Sequence, residues 1–385
     1  MKVIVNTDLN VRVGAPRLNA PCYQYLAPGT ELTVEENSFK GDKFEGLDEW
    51  LRDQAGNYYW KGGVEVEKKA VLSFEWFDLL GIKEIWDTYG EKGRQAKVLV
   101  LDSGLNHKLS PFKEAVDVNN SFSFLKNNQQ IEDDFGHGTH CAGLIGARSE
   151  QYNIGVAPES TLLIGQVTKD GTFDNDEALV RALNHFMDQD FDIISISLQL
   201  TESQLQSDNV LQEKIEKLTT EKNKIVIASI GNDTKPKNRE FKRYPGFFEH
   251  CISVGACESD LTLSKYTLFP SRPTIYCYGS NIPSFKKTEK AEALTGTSQA
   301  TAIVAGLTAL IISFLKKNGI GFSQESIKKL FTAYALTLKD QTAYKFIDIQ
   351  KIFTKLSKFK HDGINNLQEG IEKDLATADH PMDTA

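Results

Sequence analysis

Apolar positions along this chain follow two different rhythms. From residue 1 to about 66 they come in short runs: Val3-Ile4-Val5, Leu9-Asn10-Val11-Arg12-Val13, Glu31-Leu32-Thr33-Val34, Trp50-Leu51-Arg52 and Tyr58-Tyr59-Trp60. Turns such as Ala27-Pro28-Gly29 and Gln54-Ala55-Gly56-Asn57 cut these runs apart. Such spacing, punctuated by Gly, Pro and Asn, predicts a small all-β module over 1–66. A connector over 67–96 follows, with a helical patch from Trp76 to Tyr89. The rhythm then changes to unbroken apolar runs. Strands are predicted at 97–102, 161–167, 192–197, 224–230 and 251–256. Helices are predicted at 137–147, 174–189, 202–222, 298–316 and 323–335. Continuous apolar strands alternating with helices predict an α/β fold over 97–358, a mostly parallel sheet with helices on both faces. Residues 359–385 turn polar and acidic and read as a flexible tail.

The 385 residues, 40% hydrophobic and 25% charged, are enough for a large core and more than one unit. A net charge of -8 argues against a nucleic-acid partner held through phosphates. No apolar run reads as spanning a bilayer, so no membrane is predicted. The opening Met1-Lys2-Val3-Ile4-Val5-Asn6 lacks the long apolar region of a signal peptide. Cys22, Cys141, Cys251, Cys257 and Cys277 are an odd, scattered set, without C-x-x-C spacing. Reduced thiols in a cytoplasm are the expectation.

Three segments carry chemistry. Lys97-Val98-Leu99-Val100-Leu101-Asp102-Ser103-Gly104 is an apolar strand ending in a carboxylate. Asp134-Phe135-Gly136-His137-Gly138-Thr139-His140-Cys141 places a histidine at a glycine-flanked helix start. Leu294-Thr295-Gly296-Thr297-Ser298-Gln299 runs into a long apolar helical stretch, setting a serine where unpaired N–H groups and the positive helix end converge. Each alone has an ordinary reading as a turn or cap. Together, in the order Asp, His, Ser, they resemble the subtilisin-like serine proteases over roughly residues 75–355.

That resemblance implies peptide-bond hydrolysis, with Asp102 orienting His137, His137 as general base and Ser298 as nucleophile. It implies Asn232, at the end of Ile227-Ala228-Ser229-Ile230-Gly231-Asn232, as an oxyanion donor. It implies Ser197, Leu198 and Gln199 along one side of an extended substrate, with Gly171 and Phe173 along the other. Arg243, in Phe241-Lys242-Arg243-Tyr244-Pro245-Gly246, falls near the floor of the first specificity pocket, where glycine is usual. A confined guanidinium predicts an acidic residue before the scissile bond, unless it swings to solvent or pairs with Asp233. Gln199 also stands where glycine is usual, and with Phe173 it is expected to narrow the cleft.

No cofactor and no metal are predicted. His137 and His140 lack a third ligand, and Ala147 to Asn153 lacks a cluster of oxygen ligands for calcium. His140 is expected to hydrogen-bond within the core and Cys141 to be a buried structural thiol. The first module, from Leu9-Asn10-Val11-Arg12-Val13-Gly14, Leu26-Ala27-Pro28-Gly29-Thr30 and Trp50, resembles bacterial SH3-like barrels. Its aromatics Tyr23, Trp50, Tyr58, Tyr59 and Trp60 either line a peptide groove or form its core. The expected partners are therefore a peptide or protein substrate and a peptide ligand of the module. The reading of the whole is limited or regulatory proteolysis; the alternative is a slow or latent regulator that binds peptides without turnover.

Overall fold

A computed structural model describes residues 2–66, 72–206, 209–233, 235, 238, 240–268, 273–339 and 341–378; the side chains of Tyr23, Val66, 341–343, Thr377 and Ala378 lie outside that set. The chain divides into two compact units between Val71 and Leu72.

The first unit contains β1 (Lys2–Val5), β2 (Leu9–Val13), β3 (Cys22–Leu26), β4 (Glu31–Thr33), β5 (Phe39–Phe44), β6 (Leu47–Arg52), β7 (Asn57–Trp60) and β8 (Val64–Val66). They form two antiparallel sheets, in the orders β4-β1-β8 and β3-β2-β7-β6-β5. Along β1, Val3 and Val5 are buried while Lys2 and Ile4 are exposed. This is the period-two pattern of a sheet with one wet face. Val3, Val5, Leu9, Val11, Leu26, Val34, Leu51, Tyr59 and Val64 make its core. Trp50 is buried too, whereas Tyr58 and Trp60 are half-buried.

The second unit begins with α1 (Glu75–Leu79) and α2 (Ile82–Tyr89), separated by Gly81 in a left-handed conformation. Next come β9 (Lys97–Asp102), β10 (Phe122–Ser123), α3 (His137–Gly146), β11 (Thr161–Gln166), α4 (Glu177–Phe186) and β12 (Ile193–Ile196). Then follow α5 (Val210–Thr220), β13 (Ile225–Ser229), β14 (Ile252–Cys257), β15 (Ile275–Tyr278), β16 (Ile282–Phe285) and β17 (Ala291–Leu294). The unit closes with α6 (Thr297–Lys317), α7 (Gln324–Ala333), β18 (Leu336–Leu338), β19 (Gln341–Phe346), α8 (Ile349–His361) and α9 (Leu367–Ala378). The main sheet has the order β10-β11-β9-β12-β13-β14-β15-β19-β18 and is parallel except for the β18–β19 pair. Its strands β12, β13 and β14 are buried at every residue. Both faces are covered, which is the physical reason their sequences read as continuous apolar runs.

Three expectations are corrected. The tail is not loose as far as it is described: α9 buries Leu367 and Ile371 in the main core. Its acidic Asp374 accepts ion pairs from Lys355 at 2.9 Å and Lys358 at 3.2 Å. An apolar pair at helical spacing, with its acid neutralised by α8, outweighed the polar composition. The helix expected at 202–222 is a short 3₁₀ turn at Glu202–Gln204 and then α5. Finally, α6 is long and apolar enough to cross a membrane by length and composition, yet its entire apolar stretch is buried inside the protein. An all-round hydrophobic helix fits the middle of a large core equally well.

Candidate active site

Asp102 ends β9 and is wholly buried. His137 is the first residue of α3 and about a fifth of its side chain is exposed. The Nδ1–H of His137 donates to Asp102 Oδ1 across 2.7 Å, which leaves Nε2 as the proton-accepting atom. Burial by itself would push the His137 pKa down. That is the largest single effect, but the charge of Asp102, Cys141 and the hydrogen bonds to both together exceed it and hold the pKa well above the ordinary imidazole value.

The close approach of α3 to β9 depends on Gly138. A Cβ there would lie 2.3 Å from the Gly104 carbonyl oxygen and 3.1 Å from Asp102 Cβ. The start of α3 has no capping side chain of its own. Buried Asp133 supplies one: its carboxylate accepts from Gly136 N at 2.7 Å, Thr139 N at 2.8 Å, Thr139 Oγ1 at 2.7 Å and Ser103 Oγ at 2.9 Å. Ser103 Oγ in turn accepts the Gly138 N–H at 2.9 Å, and Gln166 Nε2 donates to the Ser103 carbonyl at 2.8 Å. Asp133 is therefore a positioning residue that ties the histidine helix to the aspartate strand. Sequence reasoning did not single it out. An acid just ahead of a glycine-flanked helix start was its only signal.

Ser298 stands in the first turn of α6, 9% exposed. Its Oγ donates to the Ser197 carbonyl at 2.9 Å, and Ser197 Oγ donates to the Ser298 carbonyl at 3.0 Å. Among the described residues no hydrogen bond joins Ser298 to His137. Cys141 lies beside the imidazole, its Sγ 4.0 Å from both ring nitrogens. Burial raises the Cys141 pKa, so the thiol stays protonated there. The ligand atoms of Asp102, His137 and Cys141 lie within 4.8 Å of one another, but this grouping is the His–Asp pair with a neutral thiol beneath it. His140 lies outside the site. Its ring Nε2–H donates to the Glu292 carbonyl at 3.1 Å, and burial lowers its pKa to about 3.

Asn232 follows β13 and bridges to the serine: its Oδ1 accepts the Thr297 N–H at 2.9 Å. That fixes the amide so that Nδ2 is the donor left for a ligand, beside the Ser298 N–H, a first-turn amide without an intrahelical acceptor. Gln199 Oε1 accepts the Asn232 N–H at 3.2 Å. A Cβ at Gly231 would meet Gln199 Oε1 at 2.4 Å and Arg243 Cγ at 2.8 Å. Gln199 and the Arg243 methylenes therefore crowd the space over Gly231, and only glycine fits beneath them. Arg243 Nη1 donates to the Lys242 carbonyl at 3.1 Å and its guanidinium carbon lies 5.7 Å from the Phe241 ring centre. It forms no ion pair with Asp233 or any other described acid.

Leu198 is buried, so only its backbone can face a substrate. Gly171 sits in a tight turn at φ +83°, its N–H donated to Thr168 Oγ1 at 3.1 Å. Phe173 packs inward on the core cluster that holds Leu198, so it stiffens the wall rather than filling the cleft.

Residues 93–367 match the sequence profile of the Subtilase family. The chain is 32% identical over 237 residues to the major intracellular serine protease of Bacillus subtilis, covering 60% of this chain and 72% of that protein. It is 30% identical over 238 residues to an intracellular serine protease of Paenibacillus polymyxa, covering 61% and 71%. Among solved structures, the prenylagaramide maturation protease PagA superposes with a TM-score of 0.60 at 24% identity, over 72% of this chain and 98% of that one.

Proposed function

This chain belongs to the subtilase family and is a serine endopeptidase; from that premise we propose that Asp102, His137 and Ser298 are its catalytic triad. The observation that carries the assignment is the 2.7 Å bond from His137 Nδ1 to the buried Asp102, beside a serine whose first-turn amides converge with Asn232. His137 Nε2 takes the Ser298 proton as Oγ attacks the scissile carbonyl, then returns it to the leaving amine. Asn232 Nδ2 and the Ser298 N–H hold the oxyanion; losing one such donor costs about 3–4 kcal/mol of transition-state stabilisation. The hydroxyl parked on the Ser197 carbonyl is released by substrate, because an extended peptide pairing with Ser197 competes for that oxygen. Residues 72–378 form the catalytic domain.

The finer specificity follows from the crowded pocket. Gln199 Oε1 accepts the Asn232 N–H, which leaves its Nε2 as a donor, and the Arg243 guanidinium has no carboxylate partner among the described residues. Two donors at one pocket suit Asp or Glu immediately before the scissile bond. Residues 1–66 are assigned as an SH3-like module that binds a peptide segment, supported by its antiparallel sheets and half-buried Tyr58 and Trp60. A cytoplasmic location is supported by five unpaired cysteines and by the two relatives named as intracellular. The recognition-only alternative is not favoured, since the relatives are proteases.

Labelling of the full chain by a fluorophosphonate tests the triad. One adduct on Ser298, lost in Ser298→Ala and His137→Ala, is expected. An unlabelled Ser298 in folded protein overturns the assignment.

A further inference from the structure

We propose that Gln199 is a positioning residue for the oxyanion site: its side-chain carbonyl fixes the backbone of Asn232, and through it the amide that Asn232 offers to the oxyanion. The inference rests on the role given to Asn232 above. Asn232 follows Gly231, whose φ of +100° ends the extended run of β13. A glycine there leaves the next residue free to pivot unless its neighbours hold it. One side is held by a short antiparallel bridge between Asn232 and Thr267. In it the Asp233 N–H donates to the Tyr266 carbonyl at 2.8 Å, and the Leu268 N–H donates to the Gly231 carbonyl at 3.2 Å. Those bonds come from the flanking residues, so the N–H of Asn232 itself faces the other way. There it donates to Gln199 Oε1 at 3.2 Å, its one acceptor among the described residues.

The sheet sets Gln199 in place for this. β12 runs parallel to β13 with Ile196 opposite Ala228, and continuing that pairing past the strand ends brings Gln199 level with Gly231. The chain on either side of it is tied down. The Leu198 carbonyl accepts the Ser229 hydroxyl at 3.2 Å, while Leu200 and Tyr244 exchange N–H···O bonds at 2.8 and 2.9 Å. Gly231 lacks the Cβ that would collide with Gln199 Oε1. Asn232 is thus pinned twice, by its N–H on Gln199 and by its Oδ1 on the Thr297 N–H at 2.9 Å. A donor aimed before the reaction needs no reorganisation as the oxyanion forms. The acid preference assigned to Gln199 uses Nε2, a different atom, so the two roles can be tested apart.

The test uses the full chain and fluorogenic peptides with Glu, Ala or Leu before the scissile bond. Gln199→Leu keeps the bulk and removes the acceptor. Its kcat should fall about ten-fold on all three peptides, the scale of stranding one hydrogen-bond donor, with KM little changed for Ala and Leu. Inhibition by a peptide aldehyde, whose hemiacetal oxygen takes the oxyanion's place, should weaken by the same factor. Gln199→Glu keeps an acceptor oxygen and should recover most of the lost kcat on the Ala peptide. Asn232→Ala alone should cost about 10²–10³-fold, and adding Gln199→Leu should then cost little more, because one acts through the other. Should Gln199→Leu fail to fold, Gln199→Gly carries the same test. An unchanged kcat overturns the proposal. So does a loss confined to KM on the Glu peptide, or one that persists undiminished beside Asn232→Ala, which marks a merely structural role. If Asn232→Ala keeps full kcat, the oxyanion role of Asn232 falls and this proposal with it. A large loss in Asn232→Ala beside an unaffected Gln199→Leu sinks the Gln199 assignment alone.

Discussion

The two units solve the burial problem in opposite ways. N-terminal strands such as β1 and β2 alternate, donating one face to a small core and leaving the other wetter. The catalytic strands are buried on both faces, and α6 is buried from Thr297 to Leu315. An alternating sheet tolerates change at every second residue; a doubly covered sheet tolerates little anywhere. What the second arrangement gains is rigidity at strand ends. Asp102 and Asn232 follow strands that cannot shift, and Ser298 opens a helix with no free side. Reactive groups held within about 0.5 Å need that kind of support. All the proposed chemistry accordingly falls in the second unit.

The largest test of that division is chemical. Ser298→Ala should remove essentially all peptide hydrolysis, by about 10⁶-fold in kcat, and adding His137→Ala should remove little more. Its thermal melting midpoint should stay near the wild type. Measurable turnover in a clean preparation would place the chemistry elsewhere.

Asp102→Asn comes next, with a loss of about 10⁴-fold. It also moves the pH dependence. The raised His137 pKa means the imidazole is protonated, and inactive as a base, until the pH passes well above 6.5. The kcat/KM of wild type should therefore climb across that raised value, and in Asp102→Asn the midpoint should move down. Stability runs the other way: the pair contributes fully below the unfolded histidine pKa and loses its contribution as pH rises through the folded value. An unmoved midpoint in the variant would mean Asp102 does not set the histidine's charge.

The core prediction sets the units against each other directly. Leu310→Ala, in the fully buried α6, should lower stability by about 2–5 kcal/mol and activity with it. Leu51→Ala in the first unit should melt that unit while cleavage of short peptides continues. Denaturant curves with paired assays would show it, and coupled loss in both variants would break the comparison. The smallest effect should come from deleting residues 1–66. Turnover of short peptides should persist, and only protein substrates that engage the module should slow.

Much of this was legible from sequence, for identifiable reasons. The β9, β11, β12, β13 and β14 runs were visible because two-sided burial leaves them mostly apolar, broken only by small residues such as Ser195 and Ser253. The start of α3 was visible because Gly136 and Gly138 flank the histidine. The β16–β17 hairpin and β18–β19 went unpredicted because short strands such as Leu336–Leu338 offer too few residues for a period. α9 was misread because its acid is neutralised by lysines on a neighbouring helix, a tertiary fact. The Asp102–His137–Ser298 order could be read directly, but the occupant of the Ser298 hydroxyl's bond could not. Nor could the cap that Asp133 places on a helix four residues away, which only the folded loop brings into reach.

The buried α6 has a consequence for how the enzyme is made. Synthesis proceeds from the N-terminus, so Asp102 and His137 leave the ribosome well before Ser298. The nucleophile heads a segment that is apolar on every side and has no stable place until the sheet is there to wrap it. A half-made chain can hold the aspartate and the histidine yet cannot set the serine beside the imidazole. The same helix that resembles a membrane span thus acts as a timer, keeping the protease inert until α6 itself has been made and wrapped by the sheet.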